Sequence, residues 1–278
     1  MVLGSATAFG TLGILAKLGY GSGLGTEQLL AIRFLLAAIA MVVLSAVLGQ
    51  NPLRLERRKL TALLALGAIV YTAQSLTYFI ALRSLPASLA VLIAYIYPSL
   101  VVVAGWLFLR RSVSLWHWLA LAASFAGVAL LVGGANFQLT WALVFAIASP
   151  TIYTAYILVG ERLMSHVPAV AASALIFMGA AVAFCVLAFF NHQLAPPRNA
   201  TGWAVAVGIA LVPTMLAITL FLGGLPRIGA ARAALLSTWE PVVTVLLAAA
   251  ILGDRLSIVQ AIGGALVILA VVVVQSVR

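Results

Sequence analysis

Charge is scarce in this chain. Only 7% of its 278 residues are Asp, Glu, Lys or Arg, where soluble domains carry about 25%. A soluble fold of this size needs far more polar surface to cover its core. With 65% apolar residues and a mean hydropathy of +1.24, a soluble globular domain, a disordered chain and a collagen-like chain are all excluded. A polytopic membrane protein is left. Cysteine is almost absent too. Cys185 stands by itself in an apolar run, so neither an intrachain disulfide nor a Cys-based zinc site can be built. The three histidines, His117, His166 and His192, fall in or beside loops and suggest no metal cluster and no proton relay. There is no P-loop, no Gly-x-Ser-x-Gly and no His-Glu-x-x-His, which removes ATP-driven pumping and the common hydrolase chemistries. No cofactor, no metal and no enzymatic role is expected, with an intramembrane enzyme of unfamiliar chemistry as the weaker alternative.

Acidic residues are the scarcer sign. Fifteen Lys and Arg face five Asp and Glu, for a net charge of +10. In a soluble protein this balance suggests nucleic acid. Here the basic residues gather in loops, as cytoplasmic loops of membrane proteins do, and no basic patch is interleaved with aromatics. Nucleic acid is therefore not an expected partner.

What is present is hydrophobic length. A spanning helix needs about 20 apolar residues. Ten such stretches lie between polar or Gly/Pro breaks, at 2–19, 26–48, 60–82, 86–109, 115–132, 139–160, 167–190, 201–222, 228–252 and 256–277. The first lacks a basic leader and its Lys17 comes late, so it reads as a membrane helix rather than a cleaved signal. With a cytoplasmic N-terminus, inside segments carry nine basic residues and outside loops three, Arg83, Arg198 and Arg255. Both termini are thus expected inside. Asn199-Ala200-Thr201 matches the glycosylation pattern by chance, since Thr201 opens a helix.

Aligning Pro98 with Pro241 places Ala87 on Ala230, Leu82 on Leu225 and Ser114 on Ser257. Helices four and five then resemble nine and ten. The expected architecture is an all-α integral membrane protein of two five-helix repeats, residues 1–134 and 135–278. Five is odd, so the second half enters the membrane inverted, as in secondary transporters with a midplane site.

The segment "AARAALLSTWEPVVTVLLAAAILGDRLSIVQAIGGALVIL" resembles the last two helices of the drug/metabolite transporter superfamily, in its EamA-type group. A small-residue start, Glu240-Pro241 and the turn Leu252-Gly253-Asp254-Arg255 stand in family order. "SLPASLAVLIAYIYPSLVVVAGWLFLRR" is similar to the matching fourth helix, and "AIRFLLAAIAMVVL" to the second. The turn Leu109-Arg110-Arg111 departs from the Leu-Gly-Glu common in the family. Length and a tyrosine-rich interior are similar to bacterial aromatic amino-acid exporters of the YddG type. The resemblance implies a bacterial inner-membrane exporter of amino acids or similar small metabolites, with membrane lipid as surroundings and a single chain sufficient.

Glu240 is the one deep carboxylate in the sequence. It lies about 18 Å into helix nine at 1.5 Å per residue, near the midplane, where a charge costs about 2.5–3.5 kcal/mol. It either anchors a substrate amine or carries a proton, or it is a structural cap, in which Pro241 frees a carbonyl one turn back and a protonated Glu240 hydrogen-bonds within the bundle. Tyrosines and hydroxyls recur at helical spacing in Tyr71, Gln74 and Tyr78, in Ser88, Tyr95 and Ser99 with Tyr97 beside them, in Ser149, Tyr153 and Tyr156, and in Ser237, Glu240 and Thr244 with Trp239 adjacent. Such stripes point away from lipid. Gln74, Tyr78, Tyr95, Tyr97, Ser99, Tyr153, Trp239 and Glu240 are the candidate substrate contacts, with packing between helices as the alternative. Lys17 either meets a substrate carboxylate or snorkels. Arg33 is expected in a structural hydrogen-bond cluster. Pro98, Pro150, Pro213 and Pro241 interrupt helix interiors and, with Gly223-Gly224, are candidate hinges or static kinks.

Overall fold

The computed structural model describes residues 1–109, 114–133, 141–163, 167–228 and 236–276. Every regular element among them is helical. In chain order the helices are α1 (Val2–Gly21), α2 (Thr26–Val47), α3 (Arg57–Ser84), α4 (Ala87–Phe108), α5 (Leu115–Leu131), α6 (Trp141–Leu163), α7 (Ala169–Phe190), α8 (Ala200–Phe221), α9 (Trp239–Leu252) and α10 (Ile258–Ser276). Eight of these are long and apolar enough to cross a membrane, and α5 and α9 are shorter apolar helices. The expected loop residues Arg110 and Arg111, the first residues of the sixth stretch, His166, most of 228–235 and Arg278 lie outside the described residues.

α3 begins three residues before its apolar stretch and takes Arg57, Arg58 and Lys59 into its first turn. Hydropathy marks where hydrocarbon begins, not where backbone hydrogen bonding stops. At the other expected loop, Asn199 caps α8, accepting a hydrogen bond from the Gly202 N–H at 2.7 Å. That role accounts for the residue without glycosylation.

Packing follows a regular scheme. α2 lies against α7 and α5 against α10. α1 packs on α8 and α9, while α6 packs on α3 and α4. Glycines let backbones approach where α5 meets α10. A Cβ on Gly127 would stand 2.6 Å from the Gly263 carbonyl, and one on Gly263 equally close to the Gly127 carbonyl. Gly67 of α3 and Gly179 of α7 likewise face neighbouring carbonyls, of Ile176 and Leu64. Without a hydrophobic drive between helices in lipid, such close packing supplies much of the association.

α3 and α8 each contain a π-helical turn, Leu66–Tyr71 and Leu211–Leu216. In each, a threonine hydroxyl donates to the carbonyl five residues back: Thr72 to Gly67 at 2.9 Å and Thr214 to Ile209 at 2.8 Å. In α8 the Ile209 carbonyl is the one that Pro213, lacking an N–H, leaves open.

Aromatic types divide by position. All six tryptophans are exposed: Trp106, Trp116, Trp118, Trp141, Trp203 and Trp239. All seven tyrosines are buried or half-buried.

Candidate functional site

Two helices are broken at the centre of the bundle. α4 turns at Tyr95-Ile96, just before Pro98, and α9 is preceded by a turn at Thr238, just before Pro241. The prolines withdraw one helical donor each, and the chain turns where that bond is missing. Discontinuous helices at corresponding positions are where transporters hold their substrates and coupling ions.

The two breaks meet through Tyr95. Its hydroxyl lies 2.8 Å from the Ser237 carbonyl and 2.9 Å from Glu240 Oε2. The Ser237 carbonyl is the group that Pro241 leaves without its α-helical donor. Tyr95 of α4 is placed to donate to it, and Glu240 is itself hydrogen-bonded to Tyr95 within the bundle, which the structural-cap alternative also allows. Thr244, one turn on from Glu240, donates to the Gly10 carbonyl of α1 at 3.0 Å. α1 is held tightly here, since a Cβ on Gly10 would come within 2.8 Å of Val243.

From Tyr95 a run of rings crosses the molecule. Tyr95 meets Tyr97 at 5.9 Å between centroids, Tyr97 meets Tyr153 of α6 at 4.9 Å, and Tyr153 stacks on Tyr156 at 5.6 Å. Tyr156 reaches Tyr71 of α3 at 5.0 Å, and Tyr71 packs edge-on against Phe34 of α2 at 5.5 Å. Edge-to-face contacts at these distances are favourable. Next to Phe34, Arg33 is buried. Its Nε donates to Thr214 at 2.9 Å, and its guanidinium lies 4.7 Å from the Phe34 ring and 5.5 Å from that of Phe79. The expected structural cluster is thus a bridge from α2 to the π-helical turn of α8. The run of rings has acid at one end and base at the other.

The remaining expected residues are placed as follows. Gln74 donates through Nε2 to Ser149 at 3.2 Å, joining α3 to α6. Tyr78 is buried with its hydroxyl near Gly13 of α1. Ser99 is buried, and its hydroxyl has no partner among the described residues. Trp239 is 43% exposed and shares the outward strip of α9 with Leu246, apart from the tyrosines. Lys17 is half-buried and interacts electrostatically with Asp254 in the turn after α9, not with Glu240. Pro150 and Pro213 are buried within continuous helices. Gly223 and Gly224 are helical and press against Met1 and against Val2 at the start of α1, so in this structure they serve close packing.

Two features escaped sequence reading. Asp254 Oδ2 accepts from both the backbone N–H and the hydroxyl of Ser88, at 3.2 and 3.0 Å, tying the turn after α9 to the start of α4. Only the pairing of distant positions reveals this, and a single sequence does not give it. The second is a cavity of about 580 Å³ where α4 and α6 part, walled by Leu100, Val103, Leu107, Thr154 and Leu158 with Arg162 at the rim. The Thr154 hydroxyl is spent on the Pro150 carbonyl, so the walls are chemically apolar. None of the expected substrate contacts lines this cavity.

Comparison with known proteins agrees with this architecture. A solved crystal structure superposes with a TM-score of 0.72 at 20% identity, covering 97% of this chain and 94% of that one; the likeness is of fold. YcbK of Bacillus subtilis, described as an uncharacterized transporter, is 28% identical over 267 residues, 92% of this chain and 85% of its own length. YwfM of the same organism, described alike, is 26% identical and covers 77% of this chain and 73% of its own length. A model of the EamA-like transporter family matches twice, over residues 1–133 and 140–276. The chain is a multi-pass integral membrane protein and belongs to the EamA-like transporter family.

Proposed function

We propose that this protein is a secondary transporter that exports small amphipathic metabolites, neutral or aromatic amino acids above all, from the bacterial cytoplasm by alternating access. In this reading all ten helices span the inner membrane, both termini are cytoplasmic, and residues 1–134 and 135–278 are inverted repeats. Several observations support the repeats. The family model matches each half once. The packing of α1 on α8 and α9 is answered by that of α6 on α3 and α4. Ser5 of α1 donates to the Ala217 carbonyl at 2.7 Å, and Ser149 of α6 donates to the Gln74 carbonyl at 3.3 Å.

The observation that carries the function is the Tyr95–Glu240 contact between two broken helices, flanked by the tyrosine rings. Such an interior offers an apolar body and a few polar contacts, which suits an amphipathic solute. Pro98 and Pro241 would serve as the paired hinges, and the cavity between α4 and α6 as the vestibule at one mouth. A nucleotide-sugar carrier is the weaker alternative, since phosphates call for several free cations, whereas Arg33 is enclosed by rings and Lys17 faces Asp254.

The test is flux into liposomes holding the purified protein, with a panel of labelled amino acids. Neutral or aromatic amino acids should move faster than into protein-free liposomes. If none of a broad metabolite panel moved, the transporter reading would be lost.

A further inference from the structure

The contacts of Tyr95 pose a counting problem. Three oxygens stand in a row: the Ser237 carbonyl, the Tyr95 hydroxyl and Glu240 Oε2, with separations of 2.8 and 2.9 Å. Oxygens approach this closely when a hydrogen lies between them. Two full-strength contacts need two hydrogens, because one hydrogen shared between both acceptors would bend and weaken each. A phenol supplies one and a carbonyl none, so the second belongs to the carboxyl.

We propose that Glu240 is the proton-binding site of this transporter, and that its proton holds α4 and α9 together across their breaks. This rests on the transporter reading above. In the joined state the Glu240 O–H donates to Tyr95, and the Tyr95 O–H donates to the Ser237 carbonyl. When Glu240 releases its proton to water, the Tyr95 O–H turns to the carboxylate, the stronger acceptor. The phenol oxygen and the Ser237 carbonyl then face each other with no hydrogen between them, and they repel. The contact parts at the turns of Thr238 and Tyr95-Ile96. Proton movement and helix separation become one event, so a proton gradient can drive solute.

The surroundings leave this proton in charge. α9 packs on α1 and α4. α1 brings Lys17, which interacts electrostatically with Asp254, and Tyr20, which donates to the Phe79 carbonyl at 2.7 Å. α4 brings Tyr95 and Tyr97; Tyr78 of α3 and Tyr153 of α6 lie within electrostatic reach. Among the described residues no cation is paired with Glu240.

Two measurements test the idea. Infrared difference spectra of the protein in liposomes should show a protonated-carboxyl C=O band that disappears on raising pH. The band should be lost in Glu240→Gln and shifted in Tyr95→Phe. In flux assays, an imposed pH gradient should drive accumulation of a transported amino acid by the wild type. Glu240→Gln should lose that accumulation, and the downhill flux it retains should no longer vary with pH. If the carboxyl band is absent at every pH where the protein is folded, the proton site is refuted, yet the transporter reading survives if flux persists. If the band titrates but Glu240→Gln accumulates solute as the wild type does, the coupling is refuted. If no solute moves in either protein while the band titrates, it is the transporter reading that has failed.

Discussion

Arg33 shows what one buried cation does in a membrane bundle. Its guanidinium lies near both the Phe34 and Phe79 rings, and its Nε holds Thr214, whose hydroxyl in turn closes the carbonyl opened by Pro213. Lysine keeps the charge but has neither the plane nor a donor at that angle. Arg33→Lys should therefore cost about 1–2 kcal/mol, seen as a lower midpoint of thermal unfolding in detergent. An unchanged midpoint would mean that the bridge to α8 is idle. The sequence places Arg33 in a polar cluster but not its partner, because Thr214 stands 181 residues away and reads as one threonine among many. Glu240 was legible for the opposite reason: one acid in an apolar run is conspicuous from composition. That Tyr95 would occupy the Ser237 carbonyl was not, since it depends on how two breaks face each other.

At the scale of the helix, proline position was readable and helix continuity was not. Pro98 and Pro241 each sit beside a break, whereas Pro150 and Pro213 lie in helices that run on. The difference arises locally: in α8 a π-helical turn and the Thr214 hydroxyl absorb the missing bond. Pro241→Ala would restore an N–H aimed at the Ser237 carbonyl. Hydrogen exchange over residues 236–247 should slow and transport should fall several-fold, since the healed helix competes with Tyr95. Exchange that stayed as fast as in the wild type would show that the turn at Thr238 has another cause. Glycine contacts belong to this scale too. Gly127→Val drives a side chain against the Gly263 carbonyl. Overpacking of this kind costs about 1–3 kcal/mol, and the variant should unfold at lower temperature than Gly21→Val, where nothing stands within 4 Å.

For the whole molecule, the Asp254–Ser88 hydrogen bonds and the Tyr95–Glu240 contact are two levels of closure between the same pair of helices. A rocking transporter must open the first to admit solvent from that end. Cysteines at 88 and 254, in a Cys185→Ser background, should form a disulfide that arrests flux, with recovery on reduction. Undiminished flux through the crosslinked protein would rule out opening at this end. The ten apolar stretches and the alignment of Pro98 with Pro241 were legible from hydropathy and spacing. The asymmetric cavity between α4 and α6 was not, because a void is a property of how helices diverge, and periodicity records only which faces are apolar.

The division of aromatic residues has an optical meaning. Tryptophan lies on the outside of the bundle and tyrosine within it, so the protein carries two separate built-in reporters. Brominated lipids should quench the tryptophan emission and leave the tyrosines dark to them. A solute entering the ring-lined interior should do the reverse. Occupancy and bilayer contact can then be followed as two colours of one unlabelled molecule.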